Sequence, residues 1–188
     1  MIVVDPEDVE PKPWRNGRGI TRELWAEPSG CGAGDDFEWR LSLADLGEDG
    51  PFSRFDGVER VFTPVVGGCF ELTVDGRTHR ATRYQQVRFP GEAAVAVRGL
   101  TEPARVLNLM TPRGRCRGDV QVRRCHGEIA WRAGVRSLLL VAGRLAVGGV
   151  ELPQLGLAVT TGPALSGTAE DALVAEVHIF RGVRPGTG

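Results

Sequence analysis

Phe70-Glu71-Leu72-Thr73-Val74-Asp75-Gly76 and Gly143-Arg144-Leu145-Ala146-Val147-Gly148-Gly149 match at an offset of 73 residues, and the same offset carries Pro90 onto Pro163. Each copy alternates polar and apolar residues with the period of a strand. Each then ends in a dipeptide suited to the positive φ angles of a two-residue hairpin turn. The order strand, tight turn, spacer, proline-containing turn is therefore stated twice, which reads as the duplication of one short-stranded β unit.

Outward from this pair, 26 glycines and 12 prolines punctuate a chain of 188 residues, and no window sustains a helical apolar stripe. The spacing predicts strands over Thr21 to Ala26, Glu38 to Leu46, Arg60 to Val66, Cys69 to Val74, Gln86 to Phe89, Ala94 to Val97 and Arg105 to Met110. In the second half it predicts Val120 to Arg124, Glu128 to Arg132, Ser137 to Val141, Arg144 to Val147, Leu155 to Thr160 and Val174 to Phe180, with Cys31 to Asp36 and Gly47 to Phe55 as loops. The class is all-β. Pro112, Gly114 and Gly118 break the apolar pattern, dividing the chain into units of residues 1–112 and 113–188 packed as one body. A closed antiparallel barrel covers its own edges and leaves room for one small ligand, whereas a β-sandwich would use the same strand lengths and turns.

Composition narrows the partners. A net charge of -1 gives no global attraction to nucleic acid or anionic lipid, and Lys12 is the only lysine among the basic residues. The arginine excess runs along the whole chain and reads as compositional bias; the cluster Arg113, Arg115, Arg117, Arg123 and Arg124 reads as solvated surface, so no nucleic-acid partner is expected. Cys31, Cys69, Cys116 and Cys125 lack metal or redox spacing and are read as free thiols. The start of the chain lacks a signal-like apolar run, and no stretch is long enough to span a membrane, so a cytoplasmic protein without a membrane partner is expected.

His79, His126 and His178 are isolated, so no metal or other cofactor is expected; His178, between Val177 and Ile179, reads as a strand residue with a satisfied ring. There is no nucleophile elbow and no phosphate loop, and Gly17-Arg18-Gly19 lacks the third glycine of a dinucleotide fingerprint. No residue is assigned a catalytic role.

What remains is polar chemistry where the pattern calls for apolar residues. Asn108 sits in Arg105-Val106-Leu107-Asn108-Leu109-Met110, a strand apolar on both faces, so its amide needs a partner inside, either a neighbouring backbone or a ligand. In Glu38-Trp39-Arg40-Leu41-Ser42-Leu43-Ala44, Arg40 faces water if Trp39, Leu41 and Leu43 pack inside. Asn16 offers an amide, Gly17 and Gly19 allow close backbone approach, and Thr21, Glu23 and Trp25 alternate onto one strand face.

The duplicated G-x-L-x-V-x-G unit resembles the cupin superfamily of small antiparallel barrels, here as a bicupin. Four ordered motifs, Trp14 to Leu24, Phe37 to Ala44, Asp49-Gly50-Pro51-Phe52-Ser53, and Asn108-Leu109-Met110 with Arg113-Gly114, resemble the HutD/Ves family. Two positions depart from it: Arg18 replaces the middle of three glycines, and Val106 stands where an aspartate is common. The resemblance implies a metal-free bicupin, paired as a homodimer by fold-level analogy, that binds a small acidic metabolite such as urocanate or a formylated glutamate and moderates histidine utilisation. The ligand site so expected comprises Trp14, Asn16, Gly17, Thr21, Glu23, Arg40, Ser42, Asn108 and Met110, with Arg40 as the carboxylate fork and Trp14, Trp39 and Met110 as the apolar wall. The alternative is a metal-independent isomerase or lyase with Glu23 as general base; a protein-interaction module is the third reading.

Overall fold

A computed structural model describes residues 1–14, 17–28, 37–160, 162 and 164–181. The strands are β1 (Ile2–Val4), β2 (Lys12–Pro13), β3 (Gly19–Pro28), β4 (Phe37–Leu46), β5 (Gly50–Pro51), β6 (Val58–Val66), β7 (Phe70–Val74), β8 (Arg77–Ala81), β9 (Val87–Pro90), β10 (Val95–Arg98), β11 (Ala104–Pro112), β12 (Cys116–Trp131), β13 (Val135–Val147), β14 (Val150–Glu151), β15 (Leu157–Val159) and β16 (Leu165–Arg181). Apart from one 3₁₀ turn at Pro6–Asp8, no helix occurs among the described residues.

Three antiparallel sheets result. One has the order β2-β3-β4-β11-β6-β9, and a four-stranded sheet of order β5-β10-β7-β8 faces it. The third runs β1-β15-β13-β16-β12, with β14 paired to β13. The first strand thus joins the sheet of the second half, which a partition at residue 112 does not anticipate. Both repeat turns close as read. Asp75 and Gly76 (φ 46° and 80°), and Gly148 and Gly149 (φ 55° and 80°), are left-handed pairs between directly bonded strand ends. Pro163 lies outside the described residues.

Strands expected as separate pieces are continuous. Val120 to Arg124 and Glu128 to Arg132 merge into β12 through a bulge between Cys125 and Gly127, while Ser137 to Val141 and Arg144 to Val147 merge into the bulged β13. β8 was unforeseen because its residues Arg77, Thr78, His79 and Arg80 are all exposed, leaving no alternation to read.

Three cores hold the body together. Phe62, Phe70, Leu72, Phe89, Val95 and Val106 fill the space between the first two sheets. Trp131, Leu138, Leu140, Leu145 and Val174 fill the curled third sheet. Between the halves, Trp39, Leu41, Leu43, Val61, Leu107 and Leu109 meet Leu139, Val141, Leu157 and Val177. This last core decides the site. With Trp39, Leu41 and Leu43 turned toward the second half, strand alternation turns Arg40, Ser42 and Ala44 into the first barrel. Arg40 is therefore an inward-facing residue with a side chain 17% exposed, which corrects the picture of Arg40 in water.

Candidate functional site

Strand register arranges the inward polar residues in rungs. Across the sheet, Ala26, Arg40, Met110, Arg60 and Phe89 lie on one rung, and Glu23, Ser42, Asn108, Phe62 and Val87 on the next. Thr21, Ala44, Val106 and Pro64 make the third. Neighbouring strands are about 4.8 Å apart, so Arg40 and Arg60 leave the sheet roughly 10 Å from each other with Met110 between them. The Arg40 Nη1 lies 3.8 Å from the Met110 sulfur, and its Nε donates to Glu23 Oε2 at 2.5 Å.

Arg60 is the residue that sequence reading missed. It is 2% exposed, and no carboxylate among the described residues forms an ion pair with it. Its Nε donates to Asn108 Oδ1 at 3.4 Å and its Nη1 to the Ser53 carbonyl at 3.1 Å. The guanidinium carbon lies 5.4, 5.5 and 5.2 Å from the ring centroids of Phe52, Phe55 and Phe89. Burial, and after it the nearby Arg40 charge, pull its pKa down from the ordinary arginine value to about 10. Aromatic faces attract a cation but do not neutralise it, so the barrel encloses an uncompensated positive charge. One signal in the chain could have found Arg60. Its face-mates Val58, Phe62 and Pro64 are apolar, as those of Asn108 are, although its opposite face mixes Glu59 and Thr63 with Val61 and Val65.

Of the expected site residues, Glu23, Arg40, Ser42, Asn108 and Met110 converge on the first two rungs. The partner of Asn108 is the Arg60 side chain. Trp14 and Thr21 satisfy each other instead, Nε1 donating to Oγ1 at 2.7 Å, with the indole 5.1 Å from the Phe52 ring. The Gly17 N–H, expected to face a ligand, is bonded to the Trp14 carbonyl at 3.0 Å in an exposed turn (φ 70°). Gly19 makes room for the Trp14 indole, which a Cβ there would meet at 3.1 Å. Asn16 lies outside the described residues.

Two expectations fail for structural reasons. A bulge between Glu23 and Trp25 turns Trp25 away from Thr21 and Glu23, onto the face where it packs against Trp39 at 6.5 Å. Trp39 lies in the core between the halves and cannot wall the barrel. Arg18, the departure from the family glycine, stays outside: its Nη1 donates to the Asp49 carbonyl at 2.6 Å and its chain covers Gly50.

A cleft of about 880 Å³ opens over this barrel, lined by Lys12, Glu23, Arg40, Phe55, Arg113 and Arg115 among others. In the second half the described interior is packed with apolar side chains such as Trp131, Leu138, Leu140 and Val174. There the buried Glu176 accepts from Trp131 Nε1 at 2.7 Å and from Arg123, and His178 Nε2 lies 3.5 Å from the other Glu176 oxygen without meeting hydrogen-bond geometry, and its ring stacks on Phe180. Among the described residues, no group of three or more His, Cys, Asp or Glu is placed to hold a metal ion, and no helix is long and apolar enough to cross a membrane.

Comparison with known proteins follows the same lines. The HutD family model matches residues 6–175. The chain is 42% identical over 111 residues to Protein Ves of Citrobacter koseri, and that match covers 58% of this chain and 56% of the relative. It is 38% identical over 116 residues to an uncharacterised 21.2 kDa protein of the hutC 3′ region of Pseudomonas putida, covering 61% of this chain and 60% of that one. The matches thus span little more than half the length of these relatives. The structure of HutD from Pseudomonas fluorescens superposes with a TM-score of 0.80 at 29% identity, over 97% of this chain and 99% of the other. These likenesses bear out the all-β, cupin-like fold.

Proposed function

Because the chain belongs to the HutD family, we propose that it holds one small carboxylate-bearing metabolite in its first barrel, without turnover, and that occupancy moderates histidine utilisation. The observation that carries this reading is Arg60, a buried guanidinium with no counter-charge among the described residues, on the rung beside Asn108. A carboxylate seated there supplies the missing negative charge where low polarity makes the attraction strong. Asn108 sets its orientation, and Phe52, Phe89 and Met110 keep water out. Arg40 stands at the rim, held by Glu23, and is free to add a second contact when that pair rearranges. The family's link to the histidine pathway supports acidic intermediates of that pathway as the ligand class.

Calorimetric titration of urocanate, formylglutamate and glutarate, with a neutral amide as control, tests the proposal on wild type, Arg60→Met and Arg40→Ala. Wild type is expected to bind at least one acid and not the amide. Arg60→Met should lose binding, and Arg40→Ala should weaken it. Unchanged affinity in Arg60→Met contradicts the assignment.

A further inference from the structure

We propose that Phe55 is the gatekeeper of Arg60: an anion reaches the buried guanidinium only after the Phe55 ring leaves it, and the Glu92–Arg113 pair at Gly57 governs how readily it leaves. This rests on the reading of Arg60 as an anion anchor. The Phe55 ring lies against two guanidinium groups at once, 5.5 Å from that of Arg60 and 5.9 Å from that of Arg40. Arg40 and Phe55 line the open cleft, whereas Arg60 does not and is 2% exposed. The ring therefore stands between solvent and the charge.

The segment that carries it is lightly fastened. Between β5 and β6, residues Phe52 to Gly57 form a strap whose backbone N–H groups make three bonds, Phe52 to the Val95 carbonyl, Phe55 to the Gly91 carbonyl and Gly57 to Glu92 Oε1 at 2.7 Å, and whose Ser53 and Gly57 carbonyls accept from Arg60 and Arg113. Ser53, Arg54 and Asp56 are exposed. Gly57 is the hinge residue by conformation (φ 75°) and is gripped on both sides, since its carbonyl accepts from the Arg113 N–H at 2.9 Å. Arg113 in turn holds both Glu92 oxygens. Swinging the strap outward also withdraws the Ser53 carbonyl from Arg60 Nη1. The movement that uncovers the charge thus frees the donor that a carboxylate takes up in a forked contact. Closure after binding would seal the ion pair from water, so association includes an opening step.

Arginine labelling with phenylglyoxal, followed residue by residue by mass spectrometry, tests the gate without any ligand. The reagent must reach the guanidinium plane, so Arg60 reacts only while the Phe55 ring is off it. In wild type Arg60 should label at least about tenfold more slowly than Arg144, whose side chain is 75% exposed. Phe55→Ala and Glu92→Gln should each raise the Arg60 rate by about tenfold or more and leave Arg144 unchanged. Thermal unfolding establishes that each variant is folded; should Phe55→Ala not fold, Glu92→Gln, altered at a half-buried position outside the core, decides. Equal Arg60 rates in wild type and Glu92→Gln, or a wild-type Arg60 as reactive as Arg144, overturn the gate. Titration with urocanate, formylglutamate and glutarate separates the two readings. Unaltered labelling with intact binding sinks the gate alone, whereas altered labelling with no binding sinks the ligand reading.

Discussion

Arg60 is held where a stability-driven sequence would place an apolar side chain. A buried charge with no counter-charge among the described residues costs free energy in the empty protein, and methionine fills a similar volume without that cost. Arg60→Met should therefore raise the unfolding free energy of the empty protein by about 1–3 kcal/mol in urea denaturation while abolishing carboxylate binding. A loss of stability instead would mean that the cation–π contacts with Phe52, Phe55 and Phe89 outweigh desolvation and that Arg60 is structural. The lowered pKa adds a pH signature. Below about 10 the guanidinium is charged and carboxylate affinity should be level, and as pH rises beyond that value affinity should fall. A profile flat to pH 11 would show that the guanidinium keeps its ordinary basicity in the barrel. Asn108 showed itself in the sequence as an amide among apolar neighbours. Arg60 carries a weaker form of it, with apolar face-mates but Glu59 and Thr63 on the opposite face, and the general arginine excess hid it.

At the scale of elements, the site depends on which face of each strand points inward. Composition could not settle this for β4, because both its faces are covered: Trp39, Leu41 and Leu43 by the second half, and Ser42, Ala44 and Leu46 by the first barrel. The bulge in β3 was equally hidden, since Glu23-Leu24-Trp25 alternates acceptably as a plain strand. The hairpin turns were legible because their glycines answer a local demand for positive φ, whereas bulges and shared faces are set by distant packing. The strap yields a further prediction. Hydrogen bonds from Arg113 and then from the Gly57 amide lower the Glu92 pKa from 4.5 to about 2. A lowered carboxylate pKa means that the clamp's contribution is complete above 4.5 and is lost as pH falls toward 2. The Gly57 amide proton shift, followed by NMR, should titrate near pH 2; a midpoint at 4.5 would show that the clamp is open in solution. Gly91→Ala should loosen the strap from its other side, because a Cβ there collides with the Phe55 carbonyl.

At the scale of the molecule, two halves share one apolar core, and among the described residues the polar rungs beside the cleft belong to the first. The wall that orients Arg40 and Asn108 is braced from behind by Leu41, Leu107 and Leu109 against the second half. Leu109→Ala should cost about 2–5 kcal/mol and weaken carboxylate binding, although Leu109 touches nothing inside the barrel. Unfolding should remain a single transition, since the shared core couples the halves; two resolved transitions in calorimetry would show that they are independent. The second barrel, filled with Trp131, Leu138 and Leu140, serves in this account as a buttress for the first. The most direct test is a crystal structure of the chain with the tightest-binding acid of the calorimetric panel. The account predicts electron density for a carboxylate within hydrogen-bonding distance of Arg60 and Asn108, with the Phe55 ring displaced. Density confined to Arg40 or to the outer arginines, with Arg60 still capped by Phe55, would contradict it.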